Sequence, residues 1–260
     1  APKAYRVPEF FSYFRRACET LEGDVVIAMK AYANTLPVAL RWRAKKGGRV
    51  LAYLDEWDGA HYARMSQRTR RARWCGHFHH PLDDVYLPWV ERLLPKVDGV
   101  ICSSTALQRR FGGELMYLGA DTDIYRPQDQ IAVKALREAL KLGGLRLIVF
   151  GGVARPHKGL EVIANALTLL NDPQWKLAVV GPETDFLSTL LADSILGRWF
   201  ISLGSQPKER MPLFLDLADV IAVPLRDDLL ARSQTPCKVF EAMAMAKPVV
   251  ASAVSDLPTI

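Results

Sequence analysis

The stretch TPCKVFEAMAMAKPVVAS, Thr235–Ser252, decides the fold class, because it predicts a short helix that runs directly into a buried strand. Pro236 suits the first position of that helix, and Thr235 suits the capping position before it. The helix would bury one apolar face, made of Val239, Phe240, Met243 and Ala244. A helix joined tightly to an apolar strand is typical of α/β proteins with parallel sheets.

The amino end of this helix is a candidate site for an anion such as a diphosphate. Backbone amides without helical partners and the positive end of the helix dipole point there, and Lys238 stands in the first turn. Glu241 follows one turn later, where a carboxylate could accept hydrogen bonds from paired ribose hydroxyls. A diphosphate next to a ribose indicates a nucleotide, and in this setting a nucleotide-sugar. The alternative is a solvent-exposed Glu241 that pairs with Lys238.

The rest of the chain alternates short aliphatic runs with helical stretches, which predicts right-handed crossovers and two Rossmann-like domains. The predicted strands are Val25–Ala28, Val50–Leu54, Gly99–Ser103, Leu115–Leu118, Leu145–Phe150, Lys176–Val180, Phe200–Leu203, Val220–Val223 and Pro248–Ala251. The weakest pattern lies at Asp121–Val133, which contains Pro127 and several polar residues. We therefore predict an α/β protein with domains at residues 1–127 and 128–260.

The stretch Thr235–Ser252 resembles the donor-site segment of retaining glycosyltransferases of family 4, which have the two-domain GT-B fold. Further segments resemble that family in the family's own order: VICSSTALQRRF at Val100–Phe111, YLGADTDIYRP at Tyr117–Pro127 and LIVFGGVARPHKGLEVIANAL at Leu147–Leu167. The resemblance implies that 1–127 is the acceptor-side domain and 128–260 the nucleotide-sugar-binding domain. Family members usually carry additional elements before the counterpart of Val25 and after the counterpart of Ile260, so we expect a chain incomplete at both ends.

The resemblance implies a retaining hexosyl- or related transferase. Such an enzyme moves a sugar from a nucleoside diphosphate sugar to a glycan, lipid-linked or small-molecule acceptor by same-face attack, and the departing diphosphate helps to take the acceptor proton. No cofactor and no metal ion are implied, because the nucleoside diphosphate sugar is itself the substrate. The alternative is a degenerate GT-B module that binds nucleotide or glycan without turnover. Departures from the family pattern at Gly152 and Ser233 favour that alternative.

The resemblance assigns the diphosphate of the donor to the turn after Leu145–Phe150. Gly151 and Gly152 would let a ligand come close to the backbone. Lys158 matches a family lysine that neutralises the leaving diphosphate. The family has an arginine where this chain has Gly152, and we expect Arg155 to replace it with bidentate phosphate contacts.

The remaining donor contacts implied by the resemblance surround the transferred sugar and the base. Ser233 stands near the position of a family acid that contacts the sugar, so Ser233, Gln234 or Thr235 would make that contact through a hydroxyl, an amide or a backbone N–H. The base is assigned to strand ends at Gly181, Gly204 and Ser205. Because backbone groups would contact the base, the side chains do not indicate whether it is uracil, guanine or adenine.

The acidic run LDEWDG places Asp55 and Glu56 directly after a predicted strand, at the edge where parallel strands gather ligands. The resemblance aligns one of these acids with a family group near the reacting sugar. We therefore predict a catalytic role, in which the carboxylate orients the acceptor hydroxyl or stabilises positive charge at the anomeric carbon. The alternative is that these acids and Asp58 are solvated loop residues.

Composition limits the class of protein. Half of the 260 residues are hydrophobic and 24% are charged, and no apolar run is long enough to span a membrane. The four cysteines are scattered without a CxxC pair, which predicts reduced thiols in a cytoplasmic protein. The net charge of +6 favours anionic partners such as diphosphates, acidic glycans or a phospholipid surface.

The run RMSQRTRRAR predicts a basic helix with Arg64, Arg68 and Arg71 on one face. Such a face suits peripheral contact with an anionic membrane, here its inner side, and no nucleic-acid-binding motif accompanies it. The nearby GHFHHPLDD crowds His77, His79 and His80 together. Ligands spaced by one and two residues converge poorly on a metal ion, so we predict no metal site.

Overall fold

A computed structural model describes residues 6–260 and divides the chain into two compact units. Unit 1 is Ala1–Tyr117 with Arg232–Thr235, and unit 2 is Leu118–Ala231 with Pro236–Ile260. The sequence placed the division after Pro127, ten residues later than Tyr117. The intervening segment belongs to unit 2 because Tyr125 is buried in the core of that unit.

Unit 1 contains four parallel strands in the order β1-β2-β3-β4. The strands are Val25–Met29 (β1), Arg49–Leu54 (β2), Gly99–Cys102 (β3) and Glu114–Leu115 (β4). Its helices are Glu9–Thr20 (α1), Leu36–Lys46 (α2), Ala60–Arg64 (α3), Gln67–His77 (α4), Leu87–Glu91 (α5) and Thr105–Phe111 (α6). Leu36, Trp42, Val50 and Leu107 are almost fully buried and form the centre of its core.

Unit 2 contains five parallel strands in the order β7-β6-β5-β8-β9. The strands are Arg146–Gly151 (β5), Trp175–Val180 (β6), Phe200–Ser202 (β7), Val220–Val223 (β8) and Val249–Ala251 (β9). The helices are Gln130–Ala139 (α7), Leu160–Leu170 (α8), Asp185–Ala192 (α9), Met211–Asp216 (α10), Leu229–Arg232 (α11) and Cys237–Ala244 (α12). The strand order reverses between β5 and β8, and ligands of open α/β sheets bind at the carboxyl ends of the strands at such a switch point.

The sheet of unit 2 is buried on both faces, as the alternation of its strands requires. Leu147 and Val149 of β5 lie in one core cluster, whereas Phe150 lies in another. On β6, Ala178 belongs to the first cluster and Leu177 to the second. This period of two, with apolar partners on both sides, is typical of a doubly wound parallel sheet. The predicted α/β class with parallel sheets is confirmed.

Two helices of ten or more residues were missed by the sequence patterns, as were the short helices Ala60–Arg64 and Leu229–Arg232. Glu9–Thr20 lies before the first predicted strand, and Gln130–Ala139 lies in and after the segment that we took for a junction. The second helix is capped by Asp129, whose side chain accepts a hydrogen bond from the N–H of Ile131. Within residues 6–260, no helix is both long and apolar enough to cross a membrane.

Candidate functional site

Three glycines lie side by side at the carboxyl ends of neighbouring strands in unit 2. Gly152, Gly181 and Gly204 follow β5, β6 and β7, respectively. The N–H of Gly152 donates to the carbonyl oxygen of Val180 at 2.8 Å, and the N–H of Gly181 donates to that of Gly204 at 2.9 Å. A Cβ on Gly181 would lie 2.1 Å from the carbonyl oxygen of Gly152. This glycine row, Gly152–Gly181–Gly204, therefore lets the backbones of neighbouring strand ends come close together, and Gly152 and Gly204 at its two ends are half-exposed.

The ammonium of Lys238 lies beside Gly152, at one end of the glycine row. Its Nζ donates a hydrogen bond of 2.7 Å to the carbonyl oxygen of Gly151 and lies 4.0 Å from the ring centroid of Phe150. A Cβ on Gly152, whose φ is 125°, would come within 3.0 Å of this Nζ. The cation thus fills the space beside Gly152, where the resemblance left an arginine missing.

Lys238 has too little negative charge around it for its degree of burial. Burial lowers the pKa of Lys238, the positive charge of Lys158 lowers it further, and Glu241 only partly opposes them, so that the pKa falls to about 7. Both Lys158 and Glu241 therefore lie within electrostatic range of the same ammonium. A desolvated cation without a matched counter-charge gains free energy when an anion binds beside it.

Lys158 is held by a tight turn between β5 and α8. Residues Pro156–Lys158 form one 3₁₀ turn, and Gly159 follows with a φ of 65°. A Cβ on Gly159 would lie 2.4 Å from the carbonyl oxygen of Pro224, and the N–H of Arg226 donates to the carbonyl of His157 at 3.0 Å. These contacts join the turn after β5 to the segment after β8, which is the switch point of the sheet.

Arg155 stands directly before the same turn. Its side chain is exposed, and in residues 6–260 it forms neither a hydrogen bond nor an ion pair. Arg226 is occupied elsewhere, because its Nε donates to Oε1 of Glu161 at 2.6 Å. The contact of Arg155 with a diphosphate stays a prediction, while the Nζ of Lys238 lies in the space beside Gly152.

Glu241 lies on the same helix as Lys238 and contacts two other side chains of unit 2. Burial raises the pKa of the Tyr125 phenol to about 12, and the charge of Glu241 and a hydrogen bond with it contribute. Burial raises the pKa of the Cys237 thiol, and the charge of the same carboxylate raises it further. Glu241 is half-buried and bonded to Tyr125, which differs from the alternative of a solvent-exposed pair with Lys238.

The helix α12 begins one residue later than predicted. Cys237 is its first residue and Pro236 is the capping residue, since Pro236 has an extended conformation with ψ at 129°. Among residues 6–260, the buried hydroxyl of Thr235 finds no hydrogen-bond partner, and it does not cap the helix. The predicted cap at Thr235 is therefore wrong, because the extended backbone of Pro236 separates that side chain from the first turn.

Ser233 and Thr235 are buried and belong to unit 1. The hydroxyl of Ser233 accepts a hydrogen bond of 3.0 Å from the backbone N–H of Trp57, and its carbonyl accepts one of 2.8 Å from the hydroxyl of Ser104. These bonds fix the segment to loops that follow β2 and β3. The contact of Ser233 and Thr235 with a donor sugar stays a prediction, as does that of the exposed Ser205 with a base.

The predicted catalytic acids of unit 1 surround a lysine that sequence reasoning missed. Lys30 follows β1, and its Nζ lies 3.4 Å from Asp55, 2.6 Å from Glu56 and 3.1 Å from Asp58. Burial opposes the charge of Lys30, but the hydrogen bond to Glu56 and the three carboxylates outweigh it and raise its pKa. The sequence did contain a signal for this pairing. Lys30 closely follows the first predicted strand, and the acids follow the second, so parallel pairing of the two strands would bring them to the same edge of the sheet.

Asp58 completes this cluster and differs from its neighbours. Its carboxylate accepts a hydrogen bond of 2.8 Å from the hydroxyl of Tyr32 as well as the one from Lys30. Burial raises the pKa of Asp58, although the charge of Lys30 opposes that change. The acids are thus paired groups of a partly buried cluster, and the alternative of solvated loop residues is wrong.

The basic run and the histidine run that the sequence singled out both lie in unit 1. Arg64 ends α3 and is separated from α4 by Met65 and Ser66, so the predicted single face with Arg68 and Arg71 is wrong. In the histidine run, Nδ1 of His77 lies 2.9 Å from a carboxylate oxygen of Asp83. Among residues 6–260, the structure holds no group of three or more metal-ligating side chains suited to an ion.

Comparisons with known proteins agree with this fold. Residues 144–260 match the family described as glycosyl transferases group 1. A putative teichuronic acid biosynthesis glycosyltransferase, TuaH of Bacillus subtilis (strain 168), is 23% identical over 168 residues, which are 61% of this chain and 41% of TuaH. The chain therefore spans less than half the length of that relative.

Solved structures show the same fold over nearly the whole chain. Anabaena Alr3699/HepE in complex with UDP-glucose has a TM-score of 0.67 and 20% identity, covering 97% of this chain and 65% of that protein. The sucrose-phosphate synthase of Thermosynechococcus elongatus has a TM-score of 0.70 and 20% identity, with 97% and 62% covered. Such neighbours confirm the predicted GT-B-like architecture. Residues 144–260 therefore match the glycosyl transferases group 1 family, within a chain of GT-B-like fold.

Proposed function

We propose that unit 2 binds a nucleoside diphosphate sugar and that the protein transfers its sugar, with retention, to a glycan, lipid-linked or small-molecule acceptor. One observation carries this proposal: the ammonium of Lys238 lies beside Gly151 and Gly152 at the end of β5, with Lys158 in electrostatic range and with insufficient counter-charge. Two cations at the carboxyl end of a parallel strand form a site suited to a doubly charged diphosphate.

The same arrangement supports departure of the diphosphate. Negative charge grows on the diphosphate as its bond to the sugar breaks, and preorganised cations stabilise that charge more than they stabilise the bound donor. Glu241, one turn beyond Lys238, would accept hydrogen bonds from the ribose. In this proposal the lysines supply the positive charge, and activity in a chelating buffer tests whether a metal ion is needed.

We take uridine as the first base to test because Anabaena Alr3699/HepE was solved with UDP and with UDP-glucose. A ligand that binds the folded state raises the melting temperature by mass action. We expect UDP to raise the melting temperature more than UMP does, and uridine to raise it least, since the lysines recognise phosphate. Equal shifts with uridine and UDP would remove the diphosphate site from the proposal. GDP, ADP and TDP complete the panel.

The proposed transfer does not require Asp55 or Glu56 as a strong base, because the departing diphosphate helps to take the acceptor proton. Both carboxylates pair with Lys30, and in this proposal their oxygens accept a hydrogen bond that orients an acceptor hydroxyl. Release of UDP from UDP-glucose, with and without a pool of acceptors, measures turnover directly. We expect release to increase when a suitable acceptor is present.

A second candidate function is a GT-B module that binds nucleotide without turnover. It is favoured by the pairing of the predicted catalytic acids with Lys30 and of the Ser233 hydroxyl with Trp57. This module would show the same melting shift with UDP but no UDP release from any donor and acceptor pair. The two functions are therefore separated by turnover and not by binding.

A further inference from the structure

Unit 1 contains a cavity of about 680 Å³ that the proposed donor site does not use. Its walls come from the loop after β2, from helices α3 to α6 and from the turn before α5. The side chains that give it its chemistry are Trp57, Tyr62, Trp74, Trp89, Arg71 and Arg110. A volume of this size is typical of sites for small organic ligands.

The aromatic walls of the cavity are held by specific contacts. The indole N–H of Trp57 donates to Oε1 of Glu91 at 3.0 Å, and the guanidinium of Arg110 stacks 3.7 Å from the centroid of the Trp57 ring. Trp74 and Trp89 meet edge to face with centroids 4.7 Å apart. The rings are therefore preorganised, which reduces the conformational entropy that a ligand would have to offset.

Helix α4 lines this cavity but contributes no buried side chain to the hydrophobic core of unit 1. None of its residues is buried, although Trp74 lies on it, and the neighbouring wall residue Trp89 is 49% exposed. Large aromatic rings that remain open to solvent around a concave surface are typical of a binding site. The ring of Trp74 is thus available to a ligand that enters the cavity.

The charges around the cavity favour an anion. Three guanidinium groups, those of Arg70, Arg71 and Arg110, line it together with one carboxylate, that of Glu91. Arg70 donates to backbone carbonyls of Tyr62 and Ala63. Arg71 is exposed, and within residues 6–260 its side chain forms no hydrogen bond or ion pair. Its fork of donors is therefore available to a carboxylate or a phosphate.

We propose that this cavity binds a saccharide ring that carries an anionic group. The apolar C–H face of a pyranose would stack on an indole ring, Arg71 and Arg110 would pair with the carboxylate or phosphate, and Glu91 would accept a hydrogen bond from a hydroxyl. This inference rests on the proposed function, because the bound saccharide would be the acceptor of the transfer. It adds the chemical class of that acceptor, an acidic or phosphorylated glycan.

The test uses the 260-residue chain, isothermal titration calorimetry and three probes: a glucuronate oligomer, glucose 1-phosphate and the neutral maltotriose. We expect the best anionic probe to bind at least tenfold more tightly than maltotriose, and the two anionic probes distinguish a carboxylate from a phosphate. Arg71→Gln should weaken that binding at least fivefold. Arg68→Gln is the matched control, because Arg68 is an exposed arginine of the same helix that does not line the cavity, and it should change the affinity less than twofold.

Trp89→Ala tests the stacking surface independently of charge. We expect it to abolish measurable binding of every saccharide probe while the circular dichroism spectrum is retained, because the half-exposed ring adds little to the core. Unchanged binding in Trp89→Ala, equal losses in the two arginine variants, or equal affinity for neutral and anionic probes would each overturn the inference. Sedimentation with vesicles of anionic lipid, abolished by Arg71→Gln without any saccharide binding, would assign the surface to a membrane instead and overturn it as well.

UDP binding is measured on the same preparations to separate this inference from the proposed function. If UDP binds and no saccharide does, the acceptor inference fails alone. If an anionic saccharide binds the cavity and UDP does not bind, the proposed transferase function fails and the cavity remains a glycan site. Arg71→Gln and Trp89→Ala should leave UDP affinity within twofold of the unaltered chain.

Discussion

The two sheets each place a lysine at the carboxyl end of their strands, and the two lysines have opposite surroundings. In unit 1, Lys30 lies within 3.4 Å of three carboxylates. In unit 2, Lys238 is bonded to a backbone carbonyl and has Lys158 in electrostatic range. The pKa of Lys30 is raised by its acidic neighbours, whereas burial and Lys158 lower that of Lys238 to about 7.

This contrast shows that local counter-charge decides what a strand end can bind, beyond what the fold provides. The cluster around Lys30 is dominated by its carboxylates, so an added phosphate would meet three competing anions. The cluster around Lys238 lacks counter-charge, so an added phosphate would supply it. Both sheets have the topology in which ligands gather at strand ends, and the charges at Lys238 are those that suit the proposed diphosphate.

The largest expected effect comes from filling the glycine row. Gly181→Ala would place a Cβ 2.1 Å from the carbonyl oxygen of Gly152, and backbone cannot move aside as a flexible side chain can. We expect this overpacking to lower the free energy of unfolding by about 3 kcal/mol or more. Gly143→Ala is the control, because no atom lies within 4 Å of its added Cβ. Equal melting temperatures for the two variants would contradict the close approach of the strands.

Removing the cation of the compensated cluster should be the next largest effect. Lys30→Met leaves the carboxylates of Asp55, Glu56 and Asp58 without their shared partner, and breaking a buried ion pair costs about 3–5 kcal/mol. The side chain of Lys30 is 27% exposed, so we expect a loss near 3 kcal/mol in denaturant unfolding at neutral pH. Lys96→Met, at an exposed position, is the control. If Lys30→Met lost no more stability than Lys96→Met, the ion pairs of Lys30 would not stabilise the fold.

The same substitution in unit 2 should act on binding instead of stability. Lys238→Met keeps an unbranched stem and removes a poorly compensated charge, so we expect no loss of melting temperature. The affinity for UDP should fall about tenfold or more, since hydrogen bonds to charged groups are worth about 1.5–3 kcal/mol. Lys134→Met, on an exposed position of α7, should leave the affinity unchanged. A variant that is less stable but binds UDP normally would give Lys238 a structural role.

The affinity for UDP should also depend on pH because of Lys238. With a pKa of about 7 in the free protein, the lysine is half protonated at neutral pH and must take up a proton to pair with the diphosphate. We expect the affinity to fall about fivefold from pH 7 to pH 8, as the protonated fraction falls. Lys238→Met controls for titration of the ligand, of Lys158 and of Glu241. Parallel pH profiles for the two proteins would refute the assignment.

The lowered pKa of Lys238 also makes the free energy of unfolding depend on pH. Because burial lowers the pKa of Lys238 in the folded state, the unfolded chain binds more protons between about pH 7 and the ordinary lysine value of about 10.4. Stability contributed by this group therefore rises with pH across that interval. The unfavourable contribution is complete below about pH 7, and Lys238→Met should remove this dependence from the melting curve.

Much of the fold was predictable from local pattern. Strands such as Val220–Val223 were predicted to the residue, because short aliphatic runs bounded by turns are distinctive in parallel sheets. The helix Gln130–Ala139 was missed because polar residues around Pro127 suggested a linker. Its stability depends on tertiary packing, for example of the buried Val133, which no short window of sequence shows.

For the candidate site, the proximity of three residues was predicted, and their partners only in part. Lys158, Lys238 and Glu241 do lie near one another, as expected from a strand end followed by a helix. Lys30 was missed because its carboxylate partners are about 25 residues away along the chain and are brought close by the pairing of β1 with β2. The cap at Thr235 failed for a similar reason: residues Arg232–Thr235 are held by distant parts of unit 1.

The smallest expected effect concerns Arg155, which the sequence had nominated to replace the missing arginine. Proximity in sequence supported that choice, since Arg155 is three residues from Gly152, but the ammonium that fills the space comes from a helix 86 residues later. Arg155→Gln should therefore change UDP affinity less than twofold, because screened, exposed charges contribute about 0–1 kcal/mol. Isothermal titration calorimetry with UDP on Arg155→Gln and on Lys238→Met compares the two losses of affinity directly. A loss in Arg155→Gln equal to that in Lys238→Met would mean that the diphosphate draws Arg155 into the site on binding, and the division of roles between the two cations would have to be redrawn.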